Sequence, residues 1–153
     1  MLARRNIKFG LYYNDELVSL MTFGKSRFNK NEFELIRFCN KLNTTVVGGA
    51  SKLFIHFLQD HQEINEIVSY ADRRWSHGQL YEQLGFTKVA TTVPNYFYVK
   101  HFLRENRINY QKHKLVQLGY DSSKTETEIM TELGYRKIYD CGSLKYKYIK
   151  LGN

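Results

Sequence analysis

The pattern of apolar and polar residues predicts strands throughout the first part of the chain. Two β-prone runs, Ile7 to Tyr13 and Glu16 to Phe23, flank the polar pair Asn14-Asp15. Such runs around a two-residue polar turn are typical of a β-hairpin. A third strand is predicted from Glu32 to Cys39, and its apolar character favours a core position for Cys39.

Strict alternation along this third strand would divide its side chains between two faces. Glu34 would share one face with Ile36 and Phe38, whereas Leu35 and Arg37 would lie on the other. A charged side chain on a buried strand is costly unless it is paired. The pattern therefore favours a role for Glu34 or a partner close to it.

The next segment alternates between helix and strand. Ala50 to Gln59 has apolar residues at positions 50, 53, 54, 57 and 58, which is the spacing of an amphipathic helix. Ile67 to Ala71 is typical of a short buried strand. A second helix is predicted with Ser76 as its N-cap and Gly85 at its C-terminal end.

Further strands and helices are predicted towards the C-terminus. Val89 to Thr92 and Tyr96 to Val99 predict a strand pair, and Ile138 to Gly142 with Lys145 to Ile149 predicts a terminal hairpin. Thr125 to Glu128 has the residues of a capping box. The tripeptide Leu-Gly-aromatic recurs at 84–86, 118–120 and 133–135, and it predicts helix C-caps because its spacing is too irregular for a repeat.

Length and composition predict one soluble domain. A chain of 153 residues can bury one core, so we expect a single domain with its core at about 6–100 and a basic C-terminal extension over about 101–153. Two cysteines, no targeting pattern and no apolar run of membrane-spanning length predict a cytoplasmic protein. The histidines lack ligand spacing, so no metal site is predicted.

The net charge of +8 predicts a polyanionic partner. On a small domain, an excess of this size most often indicates nucleic acid, here DNA. The alternative is a solvated basic surface that has no particular partner. Arg104 to Lys114, which mixes basic and aromatic residues, leaves the same two interpretations open.

A glycine pair between a predicted strand and a helix is the first candidate site. Glycine lets the backbone approach an anion closely, and the N–H groups and dipole of a first helical turn attract negative charge. A tight turn that packs without a ligand is the alternative. The candidate cofactor-binding residues are Val46, Val47, Gly48, Gly49, Ala50, Ser51 and Lys52.

The order of strand, glycine turn, helix and strand, followed by Leu80-Tyr-Glu-Gln-Leu-Gly-Phe86, resembles the GCN5-related N-acetyltransferase (GNAT) superfamily. The resemblance covers Ile7 to about Val99. It implies an α/β fold with a mixed, splayed central sheet flanked by helices, which holds acetyl-CoA or a related acyl donor in the wedge. The family turn usually reads Gln/Arg-x-x-Gly-x-Gly/Ala; Gly48 and Ala50 match it, whereas Thr45 departs from it.

The resemblance also implies catalytic roles. Tyr81 matches a position at which many acetyltransferases keep a tyrosine that protonates the departing thiolate. Asp72, at the end of a buried strand, or Glu34, on the central strand, would accept the proton of the acceptor amine. The alternatives are a buried aromatic residue for Tyr81 and a helix-capping carboxylate for Asp72.

The whole chain is also similar to a group of phage-encoded proteins, through stretches such as Pro94-Asn-Tyr-Phe-Tyr98 and Ile138-Tyr-Asp-Cys-Gly142. A related phage family, the Mom DNA-modification proteins, implies acyl-transfer-like chemistry on or near DNA. The alternatives are a catalytically inactive DNA-binding or inhibitor module and a protein or small-amine N-acetyltransferase. The candidate nucleic-acid-binding residues are Lys25, Arg27, Arg73, Arg74, Trp75, Arg104, Arg107, Lys112 and Lys114.

Overall fold

The computed structural model describes residues 6–26, 29 and 32–150. The strands are β1 (Ile7–Tyr13), β2 (Glu16–Lys25), β3 (Phe33–Asn40), β4 (Glu66–Asp72), β5 (Thr87–Thr91), β6 (Tyr96–Lys100), β7 (Leu103–Asn106), β8 (Arg136–Tyr139) and β9 (Ser143–Ile149). The helices are α1 (Gly49–Asp60), α2 (Gln79–Gln83), α3 (Lys112–Gln117) and α4 (Glu126–Glu132), and Arg107–Tyr110 forms a 3₁₀ helix. Within these described residues, no helix has the length and apolar character needed to cross a membrane.

The chain forms two compact units. The larger unit is built from the chain up to Thr92 and from Ser143 onward, and the inserted unit is Val93 to Gly142. The insertion falls between β5 and β9, which are neighbouring strands of the larger unit. Strand β9 belongs to the larger sheet, although the sequence placed residues 101–153 in an extension.

The larger unit contains a six-stranded sheet in the order β1-β2-β3-β4-β9-β5. Strands β3 and β4 are parallel, and the other neighbouring pairs are antiparallel. The predicted hairpin of β1 and β2 is confirmed. Its two-residue turn has positive φ at Asn14 (49°) and Asp15 (62°), the geometry that matches the twist of hairpin strands.

Strand β3 contains a β-bulge that changes its predicted faces. Thr22 pairs with Arg37 and Phe23 pairs with Leu35, so Ile36 is an extra residue opposite β2. The extra residue shifts the alternation, and Phe38 packs against the same core as Leu35. The predicted core position of Cys39 is wrong for the same reason, because the shift leaves Cys39 exposed.

Helices α1 and α2 pack on one face of the larger sheet. The ring of Phe57 on α1 stacks on the ring of Phe23 on β2, with centroids 3.7 Å apart. Phe54 contacts Phe86, which follows α2, at a centroid distance of 5.3 Å. The predicted periodicity of α1 is confirmed, since its buried side chains face this aromatic core.

The inserted unit has a second core. Its three-stranded antiparallel sheet has the order β7-β6-β8. Tyr98 on β6 is buried with Leu115 of α3 and with Ile129 and Met130 of α4. Both helices therefore cover the face of the sheet that carries Tyr98.

Two predicted strand pairs are wrong. Strands β5 and β6 lie in different sheets, as do β8 and β9. Each segment is a strand, but β5, β8 and β9 pair with strands that are distant in sequence, and β-prone residues specify a strand without specifying its partner. Asp140 ends β8 by accepting hydrogen bonds from the N–H groups of Asn95 and Gly142, both at 2.8 Å.

The helix ends mostly follow the sequence signals. Gly85, Gly119 and Gly134 have positive φ, which confirms the predicted C-caps. The capping box of Thr125 and Glu128 is confirmed at the start of α4. Ser76 is not the N-cap of α2, because the helix begins after Gly78, and the Ser76 hydroxyl accepts a hydrogen bond from the Gly78 N–H at 3.1 Å.

Candidate active site

The predicted phosphate-binding turn forms the start of α1. Gly48 is the N-cap and has φ 69°, a conformation that glycine adopts without steric cost. The Gly49 N–H donates to the Val46 carbonyl oxygen at 3.1 Å, and the Lys52 N–H donates to the Gly48 carbonyl oxygen at 3.0 Å. The chain thus turns sharply into a twelve-residue helix.

This turn fits an anionic ligand. The N–H groups of Ala50 and Ser51 lie in the first turn, where an α-helix supplies no acceptor. That turn contains no acidic residue, and Ser51 and Lys52 are exposed. A Cβ atom at Gly48 would meet nothing within 4 Å, so the space beside the turn is open.

The other turn residues have different surroundings. Gly49 is buried, and a Cβ atom there would lie 2.9 Å from Val46 Cγ1. Gly49 therefore permits the close packing of the turn on half-buried Val46. Val47 is 88% exposed, so its side chain belongs to the surface.

Strands β3 and β4 separate after a short parallel pairing. Phe33 pairs with Ile67, and Glu34 pairs with Val68. One residue further along, the Ser69 hydroxyl donates to the Leu35 carbonyl oxygen at 2.7 Å. A side chain thus replaces the backbone pairing where the gap between the strands begins, and we call this place the fork.

Tyr81 lies at the fork. It is half-buried on α2, and the Ser69 hydroxyl is near enough to influence its pKa. Burial raises the pKa of Tyr81, and the charge of Glu34 raises it further, whereas the nearby Ser69 hydroxyl opposes both effects. The phenol therefore holds its proton firmly at neutral pH.

Glu34 lies on the other side of the sheet at the same place. Leu35 faces the core that α1 and α2 cover, so its neighbour Glu34 faces the opposite way. The Glu34 side chain is 3% exposed. Glu34 and Tyr81 therefore flank the fork from opposite faces, close enough for the charge of Glu34 to affect the Tyr81 phenol.

The position of α2 depends on Tyr146 of β9. The Tyr146 Oη atom lies 3.1 Å from Glu82 Oε1 and 3.2 Å from the His77 carbonyl oxygen. A Cβ atom at Gly78 would lie 2.1 Å from Tyr146 Oη, so only glycine fits between the helix start and this ring. The sequence analysis missed both Ser69 and Tyr146, because neither carries a local motif and Tyr146 lies 65 positions after Tyr81.

Asp72 is the last residue of β4, and Arg74 forms hydrogen bonds and an ion pair with its carboxylate. The Arg74 Nη2 atom donates to Asp72 Oδ2 at 2.5 Å, and the Arg74 backbone N–H donates to Asp72 Oδ1 at 3.0 Å. The hydrogen bonds from Arg74 lower the pKa of Asp72. Such a carboxylate is a weaker proton acceptor than an unpaired one.

Within the larger unit, the described nucleic-acid-binding candidates do not all lie together. Arg73 and Trp75 are exposed after β4, whereas Lys25 lies where β3 begins, at the opposite end of these parallel strands. Arg27 lies outside the described residues. The remaining candidates are in the inserted unit: Arg104 on β7, Arg107 in the 3₁₀ helix, and Lys112 and Lys114 on α3.

A cavity of about 520 Å³ also lies near the start of β3. It is lined by Lys25, Glu32, Phe33, Glu63, Ile64, Asn65 and Glu66. Two of its carboxylates are paired, Glu32 with Lys145 and Glu66 with Lys147. This cavity lies at the end of the strands away from the glycine turn, so we do not assign the acyl donor to it.

Comparisons with solved structures identify the fold. An acetyltransferase of Bacillus subtilis in complex with CoA has 15% sequence identity and a TM-score of 0.55, and the match covers 96% of this chain and 78% of that one. A GNAT-family protein of Desulfovibrio desulfuricans has 11% identity and a TM-score of 0.54, with 94% and 68% covered. The ribosomal-protein-S18-alanine N-acetyltransferase of Escherichia coli has 12% identity and a TM-score of 0.54, with 99% and 74% covered.

The chain therefore has the GNAT acetyltransferase fold, and the predicted mixed sheet with flanking helices is confirmed. No protein-family model matches the sequence, and no curated protein matches it significantly. At identities of 11 to 15%, the structural likeness concerns the fold alone. The activity has to be argued from the residues of this chain.

Proposed function

We propose that this protein is a CoA-dependent acyltransferase. The observation that carries the proposal is the position of Glu34 and Tyr81 on opposite faces of the sheet at the fork. A transfer reaction needs a proton acceptor on the side of the attacking amine and a proton donor on the side of the leaving group. The solved CoA complex of a protein with this fold supports the choice of donor.

The turn that begins α1 would hold the donor. The N–H groups of Ala50 and Ser51 and the charge of Lys52 suit a pyrophosphate, and the exposed Val47 side chain lies beside them. Acetyl-CoA or a related acyl-CoA, when bound there, supplies an acyl thioester. Thr45, which replaces the usual Gln or Arg, removes one side-chain contact but leaves the backbone donors in place.

Glu34 is our choice of proton acceptor, and Tyr81 is our choice of proton donor. Glu34 is buried at the fork, whereas Asp72 lies at the end of β4, four residues beyond the last backbone pair of β3 and β4. Tyr81 keeps its proton because burial raises its pKa, and that proton suits a thiolate leaving group. The Ser69 hydroxyl acts on the pKa of Tyr81 in the opposite sense to burial.

Nucleic acid is the acceptor that we propose, in a Mom-like modification of DNA. The support is the net charge of +8, which attracts a polyanion and disfavours cationic amines. A protein or small-amine acetyltransferase and an inactive DNA-binding module remain the alternatives that an experiment must separate.

The test is transfer of radiolabelled acetyl from acetyl-CoA to DNA, to a basic protein and to a polyamine in parallel reactions. We expect label in DNA, a loss of about 100-fold or more in Glu34→Gln, and near wild-type activity in Asp72→Asn. Label in protein or polyamine alone would show that the acceptor is one of these amines and not DNA. An absence of label in every reaction, with folded protein, would contradict acyl transfer of acetyl groups.

A further inference from the structure

The sheet of the inserted unit has one covered face and one face without a helix. Tyr98 of β6 faces the core formed with α3 and α4. Because residues alternate along a strand, Phe97 and Val99 face the opposite way. We call this opposite side the outer face.

Strand pairing arranges the outer face in two rows. Val99 pairs with Arg104 on one side and with Arg136 on the other. In the next row, Phe97 pairs with Asn106 and with Ile138. The first row thus carries two positive charges about 10 Å apart, which is twice the spacing of neighbouring strands, and the second row is mainly apolar.

The two arginines have no described carboxylate partner. The Arg104 guanidinium lies over the Phe97 ring, 4.7 Å from its centroid, and Arg136 donates to the carbonyl oxygen of Tyr135 at 3.1 Å. The inserted unit has six acidic residues, and each forms hydrogen bonds with residues other than these two arginines. Glu105 bonds Tyr110 and Tyr135, Asp121 bonds Ser123, and Glu126 bonds Tyr96 and Tyr98. Glu128 bonds Thr125, Glu132 bonds Lys124, and Asp140 bonds Asn95 and Gly142.

The turn beside the arginine row exposes an aromatic side chain. His101 and Phe102 join β6 to β7 with φ values of 49° and 65°. This turn type favours Asn-Gly, because a bulky side chain at positive φ is strained. Phe102 is fully exposed and Leu103 is 68% exposed, so packing within the described chain does not offset the strain.

We propose that the outer face and its turn bind single-stranded nucleic acid. Arg104 and Arg136 contact backbone phosphates, and Phe97 and Phe102 offer aromatic rings to unpaired bases. The stacked Arg104 guanidinium adds a second flat surface for a base. This inference deepens the nucleic-acid part of the proposed function and rests on it, and it does not require the acyl donor to be bound.

Fluorescence anisotropy with a labelled oligothymidylate of about 15 nucleotides tests the proposal. We expect Arg104→Ala with Arg136→Ala to weaken binding at least about 10-fold and to reduce the slope of log K against log salt by about 1.4, which is about 0.7 for each phosphate contact on a single strand. The control with the same loss of charge is Lys8→Ala with Lys88→Ala, which we expect to change the Kd less than about 2-fold. Equal losses in the two double variants would overturn the proposal.

Phe102→Gly separates binding from folding. Glycine relieves the strain at φ 65°, so we expect a higher melting temperature together with binding about 10-fold weaker. The control is Asn14→Gly in the β1–β2 turn, where φ is 49°, and it should leave binding unchanged. Unchanged binding in Phe102→Gly would overturn the proposal.

Three further measurements complete the test. Tighter binding to a duplex of the same sequence, or to anionic lipid vesicles, would contradict the choice of a single strand. Loss of binding in Lys112→Ala with Lys114→Ala, on the helix that covers the other face, would move the site to α3 and overturn the proposal. Oligonucleotide binding by a protein that fails to bind acetyl-CoA would support this inference while contradicting the acyltransferase.

Discussion

The Ser69 hydroxyl donates a hydrogen bond to the Leu35 carbonyl oxygen, 2.7 Å away, one residue beyond the last backbone pair of β3 and β4. This bond satisfies a carbonyl group that the separating strands would otherwise leave without a partner. Ser69 is also near enough to Tyr81 for its hydroxyl to affect the pKa of that phenol. One buried hydroxyl therefore connects the opening of the sheet to the proposed proton donor.

We expect Ser69→Ala to lower both stability and activity. The variant leaves a buried carbonyl group unsatisfied, which costs about 1–3 kcal/mol of unfolding free energy. It also removes the hydroxyl that affects the pKa of Tyr81, so turnover should fall beyond what the loss of folded protein explains. Denaturant unfolding and initial rates, measured on the same samples, check both effects.

The control for this variant is Ser19→Ala. Ser19 is equally buried on β2, and its hydroxyl bonds Asn40 Oδ1 at 2.9 Å, away from Tyr81. It should lose stability and keep its turnover per folded molecule. Similar turnover in the two variants would contradict the role of Ser69 at the fork.

Tyr81→Phe should reduce kcat by about 100-fold or more and leave the affinity for acetyl-CoA unchanged, because only the proton donor is lost. Tyr148→Phe is the control, since this half-buried ring packs against Phe54 and Phe86 in the same core. Steady-state rates with calorimetric binding separate the two effects. Equal kcat values for the Tyr81 variant and the wild type would contradict the assignment.

The raised pKa of Tyr81 has a consequence for pH dependence. The folded protein holds this proton more tightly than the unfolded chain, whose tyrosine pKa is about 10. The contribution of Tyr81 to stability is therefore complete below about pH 10 and is lost as the pH rises above it. A fall in kcat between pH 7 and 9 should not arise from Tyr81, and a tyrosinate absorbance change assigned to Tyr81 in that range would contradict this.

Gly78→Ala should strongly destabilise the larger unit. The new Cβ atom would lie 2.1 Å from Tyr146 Oη and 2.4 Å from two ring carbons, at φ 84°. Gly119→Ala is the matched control, because φ is 93° and no atom lies within 4 Å of the new Cβ. The control measures backbone strain alone, about 1–2 kcal/mol.

Thermal unfolding of the two glycine variants tests the packing of β9 against α2. We expect a clearly larger decrease in melting temperature for Gly78→Ala than for Gly119→Ala. Equal decreases would show that Tyr146 does not constrain the start of α2. The outcome bears on catalysis, since α2 carries Tyr81.

Local signals in the sequence identified most individual elements of the fold. The polar turn at Asn14-Asp15, the spacing in α1 and the glycine C-caps depend on neighbouring residues, and each is confirmed. The pairs β5–β9, β4–β9 and β6–β8 were not predictable in this way, because their strands lie far apart in the chain. Without those partners, the inserted unit could not be recognised.

In the candidate site too, local features were predictable from the sequence and long-range contacts were not. The glycine turn carries a local motif, so its residues and the helix that follows were predicted. The bulge at Ile36 shifts which side chains of β3 face the core, and no residue type in the strand predicts such a bulge. The contacts of Ser69 with Leu35 and of Tyr146 with Gly78 join residues that are 34 and 68 positions apart, beyond the reach of any periodicity.

The central claim is that the turn at the start of α1 binds acyl-CoA, and titration calorimetry with acetyl-CoA tests it most directly. In Ser51→Glu, an acidic residue enters the first turn of the helix, where it suits the helix dipole but repels a pyrophosphate. Gln59→Glu adds the same charge at the exposed far end of α1. We predict saturable binding by the wild type and by Gln59→Glu, and binding at least about 10-fold weaker in folded Ser51→Glu. No binding by the folded wild type, or equal affinities in the two variants, would contradict the account.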